Sequence, residues 1–167
     1  MFIRNCLLCL TSLVLSSPSM GLPDDKEKPL QVVSDSVVVN YAEGITTLQG
    51  EVTVTQGTTK LNGDKVVVYT DKQQQLIKLI AYGTPDQQAS YETLPAIKSS
   101  PFHATADTIT YMGLEKLAIF EGNAHATDGI NQFDGPAFKY WTEKQEVVTE
   151  KVANQRSTII IYPGSNH

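Results

Sequence analysis

Few residues of this chain have the types and spacing that catalysis or metal binding requires. His103 and His125 lie in strand-like segments without metal-ligand spacing, and His167 is the last residue. Three carboxylates lie next to turns, where such side chains commonly bond to the backbone, namely Asp64, Asp107 and Asp134. There is no Gly-x-Ser-x-Gly elbow, no phosphate-binding glycine loop followed by Lys-Ser/Thr and no His-Glu-x-x-His motif. We therefore expect no enzymatic activity, no cofactor and no metal site.

The amino-acid composition indicates a single folded domain and argues against a nucleic-acid-binding protein. The chain has 167 residues, of which 41% are hydrophobic and 19% charged, and these values suit one folded domain. Its 18 acidic and 13 basic residues give a formal net charge of −5. Proteins that bind nucleic acid need a cationic surface for the phosphates. A nucleic-acid partner is therefore not expected.

The N-terminal residues have the pattern of a secretory signal peptide. Arg4 precedes an apolar run at 6–15, and small residues follow. The run is about half of the ~20 apolar residues that cross a bilayer. We therefore expect export and cleavage after Ser19 or Gly21. A short membrane anchor that is never cut is the alternative.

The remaining chain divides by composition into three further parts. The expected order is a signal peptide at 1–21, a charged leader at 22–28, a folded domain at 29–163 and a short tail at 164–167. Cleavage would remove Cys6 and Cys9, the two cysteines of the chain. The mature domain would then fold in an oxidising compartment without thiols or disulfides.

From residue 30 onwards, apolar and polar residues alternate with a period of two, and glycines interrupt the alternation. Val, Ile, Thr and Tyr dominate these stretches, for example at 51–55 and 65–69, which indicates short β-strands. Three turn glycines recur later in the chain at one constant interval, Gly50, Gly57 and Gly63 as Gly122, Gly129 and Gly135. This constant interval predicts an internal repeat of stacked strands. At about eight or nine residues per strand and turn, we expect about fifteen or sixteen antiparallel strands in a jellyroll-like stack.

The alternation also sorts the side chains onto two faces of the strands. The residues expected on the interior face are Leu30, Val32, Val37, Val39, Leu48, Val52, Val54, Leu61, Val66, Val68, Ile109, Tyr111, Phe120, Phe133, Phe138 and Tyr140. Ala124 and Ala126 share this face opposite valines of the first half. Both an ordinary sandwich core and an interior that holds lipid fit this pattern.

Several segments resemble the periplasmic lipopolysaccharide-transport bridge protein family, also called the OstA-like family. They are the opening strand at 29–35, the glycine-flanked strands at 48–58 and 61–68, and the second-half segment at 121–124. The resemblance implies an all-β, twisted β-jellyroll with an open V shape. It also implies that the exported chain lies in the periplasm, that lipopolysaccharide moves along its interior and that copies join head to tail. The bridge would link an inner-membrane jelly-roll anchor protein to an outer-membrane translocon.

The physical chemistry of lipid transport is consistent with this resemblance. Each exposed methylene of an acyl chain costs about 0.8 kcal/mol in water, so a chain of about a dozen methylenes costs on the order of 10 kcal/mol. The interior face is therefore the expected site for the lipid A acyl chains.

An array of strands leaves an open edge at each end, and strand addition by another copy would pair it. The expected edge residues are Leu30, Gln31, Val32, Val33 and Ser34 at one end, and Thr158, Ile159, Ile160, Ile161 and Tyr162 at the other. A buried final core strand is the alternative for the second group. The strand pairing of 84–101 is not assigned by the pattern.

Two other functions fit the sequence. One is a membrane-anchored jelly-roll relative from the same export complex, and the other is a β module that binds protein or glycan and no lipid.

Overall fold

A computed structural model describes residues 28–95, 100–129, 131–149 and 152–162 of the chain. The expected signal peptide, nearly all of the leader and the tail at 164–167 lie outside these residues. Every strand pairing among the described residues is antiparallel. The all-β, jellyroll-like fold expected from the alternation is thus confirmed. The described part of the chain holds no helix with the length and hydrophobicity needed to span a bilayer.

Twelve strands are formed by the described residues. They are β1 (Gln31–Val33), β2 (Ser36–Asn40), β3 (Ile45–Gln56), β4 (Thr59–Thr70), β5 (Leu76–Tyr82), β6 (Ala89–Thr93), β7 (Phe102–Ala106), β8 (Thr108–Met112), β9 (Leu117–Asp128), β10 (Asn131–Trp141), β11 (Glu146–Thr149) and β12 (Thr158–Ile160). The expected number was higher because it assumed strands of average length, whereas β3, β4, β9 and β10 have 11 or 12 residues each.

The four long strands each contribute to two layers. The strand order is β2-β3-β4-β5-β8-β9-β10-β11 in the first, which we call layer A, and β1-β3-β4-β6-β7-β9-β10-β12 in the second, layer B. Between the layers, β3 contains a bulge at Gly50 and Glu51, where φ is +82° and +42°. The equivalent residues of β9, Gly122 and Asn123, have φ of +79° and +45°. A bulge bends a strand and increases its twist, which lets one strand serve both layers.

The repeat seen in the sequence is a repeat of the structure. Strands β8 and β9 have the same lengths as β2 and β3, and they follow them at the interval of the turn glycines, which we call the long offset. After β10 the interval becomes slightly shorter. Leu61 of β4 pairs with Tyr91 of β6, whereas the equivalent Phe133 of β10 pairs with Ile159 of β12. The interval from Tyr91 to Ile159, which we call the short offset, places β11 and β12 where the first repeat has β5 and β6.

Candidate functional site

The inward face of layer A consists of two rows of side chains that run across all eight strands. Directly paired residues of an antiparallel sheet lie on the same face, so the register defines each row. The first row is Val37, Leu48, Val66, Ala81, Ile109, Phe120, Phe138 and Thr149. The second row is Val39, Thr46, Val68, Leu79, Tyr111, Ala118, Tyr140 and Val147.

Layer B has a matching row on its own inward face. It is Val32, Val54, Leu61, Tyr91, Ala104, Ala126, Phe133 and Ile159. Val52 lies two residues from Val54 and is buried on the same face, as is Ala124 beside Ala126. The structure therefore brings the interior residues expected from the sequence onto the facing sides of two layers, where the buried members form one core cluster.

Burial of these rows differs strongly between the middle and the ends. In the middle, Ile109 and Phe120 have no exposed surface. At the N-terminal end, by contrast, Val37 is 54% exposed and Val39 is 44% exposed. Leu30 and Val32 are exposed as well, while Tyr111 and Phe133 are partly buried. The expectation that all of these side chains are enclosed is wrong for the N-terminal four, because β1 and β2 pair only with β3 among the described residues.

Aromatic side chains close the middle of the interior. Tyr91 of layer B contacts Phe120 of layer A edge to face, with ring centroids 5.8 Å apart. Phe102 of layer B stacks on Tyr140 of layer A at 3.9 Å. Phe138 stacks on Phe120 at 4.5 Å. These five residues, which we call the aromatic cluster, join the two layers in the middle of the molecule.

The pKa values of both tyrosines in the aromatic cluster are raised, which favours the neutral phenols. Burial raises the pKa of Tyr140 to about 12, and the negative charge of Asp128 adds to the effect. Burial also raises the pKa of Tyr91, with smaller contributions from the neighbouring phenols of Tyr111 and Tyr140. Both phenols stay uncharged in this apolar interior at any ordinary pH.

Tyr91 and Phe102 were missed by the sequence reasoning. Phe102 begins a short alternating stretch, Phe102 to Ala106, that carried the signal of a half-buried strand. Tyr91 lies in the segment whose pairing was unassigned, and β6 now places it between β4 and β7.

Parts of both expected edge segments form strands, β1 and β12, and two further strands also pair on one side only. β1 pairs with β3 alone and β12 with β10 alone among the described residues. β2 and β11, which the sequence reasoning missed as edges, are equally one-sided. The alternative that the last strand is buried in the core is wrong, since all three residues of β12 are exposed.

Two carboxylates near the bulges bond to side chains. Asp107 accepts hydrogen bonds from Gln88 Nε2 (2.9 Å) and Asn123 Nδ2 (3.0 Å), and Asp134 pairs with His125. The expectation that both carboxylates bond to the backbone is therefore wrong. No group of three or more His, Cys, Asp or Glu side chains that could hold a metal ion occurs in the described ranges.

Comparison with known proteins identifies the family. The sequence profile described as "LptA/(LptD N-terminal domain) LPS transport protein" matches residues 31–146, which contain β1 to β10 and the start of β11. The chain belongs to this family. Relatives include the lipopolysaccharide export system protein LptH of Pseudomonas aeruginosa strain PAO1, 31% identical over 149 residues (89% of this chain and 83% of the relative). The lipopolysaccharide export system protein LptA of Escherichia coli K12 is 26% identical over 160 residues, with 95% and 84% covered.

A solved structure of this family has the same fold. The crystal structure of Pseudomonas aeruginosa LptH, described as a periplasmic component of a lipopolysaccharide transport device, matches with a TM-score of 0.77 at 28% identity. The match covers 84% of this chain and 100% of that one. The resemblance seen in the sequence is therefore confirmed for the family and for the fold.

Proposed function

We propose that this protein carries lipopolysaccharide through the periplasm and shields its acyl chains between layers A and B. The observation that supports this most directly is the inward face itself. Its apolar rows run from one edge of each layer to the other, and they are uncovered at the N-terminal end. An apolar face that is open at one end offers an entry for an acyl chain. Because the chain belongs to a lipopolysaccharide transport family, an acyl chain of lipopolysaccharide is the fitting ligand.

The exposed end provides the first contact for lipid. Val32 of layer B and Val37 and Val39 of layer A present inward-facing side chains that remain half in water. An acyl chain placed there removes apolar surface from water on both partners, at about 25 cal/mol per Å². The sugar head would stay in solvent, so recognition rests on the acyl chains.

Deeper passage requires the aromatic cluster to give way. Protein interiors are close-packed, and the rings that join the layers are in direct contact with one another. We propose that the layers separate locally as lipid moves, with the rings of Phe120 and Tyr91 trading contacts with each other for contacts with methylenes. Because apolar contacts are replaced by apolar contacts, the exchange needs little net free energy.

We further propose that copies join head to tail and that the internal junction between the repeats is the template. Inside the chain, β5 pairs with β8 and β6 with β7. The repeat makes β11 and β12 the equivalents of β5 and β6, and β2 and β1 the equivalents of β8 and β7. Pairing of β11 and β12 with β2 and β1 of a second copy therefore continues both layers.

The long and short offsets together fix the register of this junction. Leu79 opposite Tyr111 becomes Val147 opposite Val39 of the next copy. Tyr91 opposite Ala104 becomes Ile159 opposite Val32. Strands β1 and β2 would then have a paired strand on both sides, and the apolar rows would run on from copy to copy with their inward faces towards the lipid. At the ends of such a bridge we propose an inner-membrane jelly-roll anchor and an outer-membrane translocon.

Site-specific photo-crosslinking in cells that make lipopolysaccharide tests the shielding. A photoreactive residue at Val39, on the inward face, is compared with one at the adjacent Val38, which the register places on the outward face. Both valines are exposed, so accessibility does not separate them. We expect lipopolysaccharide adducts several times more abundant from position 39. Equal labelling, or adducts with protein alone, would contradict the proposal and favour a module that binds protein or glycan.

A further inference from the structure

The internal junction contains a polar contact at its margin. Gln88, the residue before β6, reaches the bulge of the second repeat. Its Nε2 donates to Asp107 Oδ1 (2.9 Å) and to the carbonyl oxygen of Asn123 (3.0 Å). Asn123 Nδ2 in turn donates to Asp107 Oδ2 (3.0 Å). Two amide groups thus satisfy one carboxylate where the repeats meet.

The equivalent residues at the two ends of the chain carry opposite charges. The short offset places Arg156, before β12, where Gln88 lies before β6. The long offset places Asp35 and Glu51 where Asp107 and Asn123 lie. Asp35 retains the backbone geometry of this corner, since its N–H donates to the carbonyl oxygen of Gly50 (3.2 Å), as Asp107 does to Gly122 (2.9 Å).

All three charged side chains are available for contact. Arg156, Asp35 and Glu51 are exposed, and none of them has a side-chain partner among the residues that the structure describes. Arg156 lines a polar cleft together with Gln155 and the bulge residues Gly122 and Asn123. The C-terminal end therefore offers a cation where the N-terminal end offers two carboxylates without a donor.

We propose that Arg156 of one copy binds Asp35 and Glu51 of the next, as a charged clamp at the head-to-tail junction. This inference rests on the proposed end-to-end assembly and adds to it a pair of residues that select the partner end. In the extended register of β12 with β1, Arg156 lies opposite Asp35, as Gln88 lies opposite Asp107 inside the chain. A guanidinium has five donors in a planar fork, so one side chain can serve two carboxylates.

The clamp gives the junction a direction, because it favours contact of unlike ends. Apolar strands alone do not make this distinction. Two N-terminal ends brought together would leave all four carboxylates without a cation, and like charges across an interface are unfavourable. The head-to-tail arrangement instead pairs each cation with acids. Charge-assisted hydrogen bonds of this kind are about twice as strong as neutral ones, and at an exposed margin they are screened by salt. Assembly should therefore weaken as ionic strength rises.

Sedimentation of the exported chain at 50 and 500 mM NaCl tests the clamp. We expect Arg156→Glu to weaken self-association about tenfold at low salt, since it turns attraction into repulsion. Arg156→Gln copies the internal junction and should retain association while losing most of its salt dependence. Glu51→Arg combined with Arg156→Glu should recover much of the loss. The control is Lys72→Glu, which makes the same charge change in the exposed turn between β4 and β5, away from both ends.

The outcomes separate the clamp from the assembly. Thermal unfolding should be the same for all variants, which shows that association and not folding has changed. If Arg156→Glu associates like the natural chain with the same salt dependence, the clamp is wrong and end-to-end assembly stands. If the natural chain does not associate at all as its concentration is raised, the assembly proposal fails and the clamp fails with it.

Discussion

Strands β2 and β8 occupy equivalent positions in the two repeats, but they differ in how many strands they pair with and in how far they are buried. Both are five residues long and both pair on one side with the long strand that follows, β3 or β9. β8 also pairs with β5 on its other side, and its Ile109 is fully buried. β2 has no such neighbour among the described residues, and its equivalent Val37 is more than half exposed.

The difference shows that neighbours, and not residue type, decide burial at these positions. An isoleucine and a valine at equivalent points differ from fully buried to half exposed because one lies at a junction and the other at an end. Uncovered apolar strands at a sheet edge promote aggregation, so proteins normally cover or interrupt such edges. That β2 and β1 remain apolar at the edge is understandable if a second copy covers them.

Deleting an aromatic ring in the closed middle should have the largest effect on folding. Phe120→Ala removes a fully buried ring with partners in both layers, and such substitutions cost about 3–5 kcal/mol of the free energy of unfolding. Val39→Ala, at the open end, should cost less than about 1 kcal/mol in the monomer. Urea unfolding at a concentration where the chain is monomeric measures both. Similar losses for the two variants would mean that the end is as closed as the middle.

A smaller effect on stability should appear at alkaline pH, where Tyr140 of the same closed middle loses its proton. The pKa of Tyr140 is raised to about 12, above the ordinary value near 10 that the unfolded chain has. The folded state therefore binds this proton more tightly. Its contribution to stability is complete below about pH 10 and is lost as the pH rises from there through about 12.

Unfolding midpoints between pH 9 and pH 12 measure this loss. Tyr140→Phe should flatten part of the decline, whereas Tyr41→Phe, which removes an exposed phenol at the β2–β3 turn, should leave it unchanged. A decline that is the same in the natural chain and in Tyr140→Phe would show that other groups control alkaline unfolding.

Much of the fold could be predicted from the sequence, because alternation and repeat are local signals. The period of two placed Leu48, Val66 and Ile109 on one face, and the pairings confirm it. The glycine spacing predicted the repeat. What alternation cannot report is which strand lies on the other side of a given one. For this reason β2 and β11 were not recognised as edges, and Val37 was expected to be enclosed.

The aromatic cluster was harder to predict for two physical reasons. Pro85, Pro95 and Pro101 interrupt the alternation around Tyr91, so β6 gave a weak signal. The change from the long to the short offset also hides the equivalence of β6 and β12, which emerges only from their pairing with β4 and β10.

The most direct test of the account is a disulfide between copies at the predicted junction. Val32→Cys and Ile159→Cys are placed in one chain that also carries Cys6→Ser and Cys9→Ser. Within one copy these positions lie at opposite edges of the eight-strand layer B, about 34 Å apart along the sheet at ~4.8 Å per strand. A bridge between them therefore joins two copies.

Mild oxidation followed by non-reducing electrophoresis should give a ladder of dimers, trimers and longer chains. The matched control replaces Ile159→Cys with Ile160→Cys, which moves the thiol by one residue to the opposite face of the strand. We expect a ladder for position 159 and little for position 160. Equal ladders from both, or no ladder at a concentration where the chain associates, would contradict the claim that the junction between the repeats is also the junction between copies.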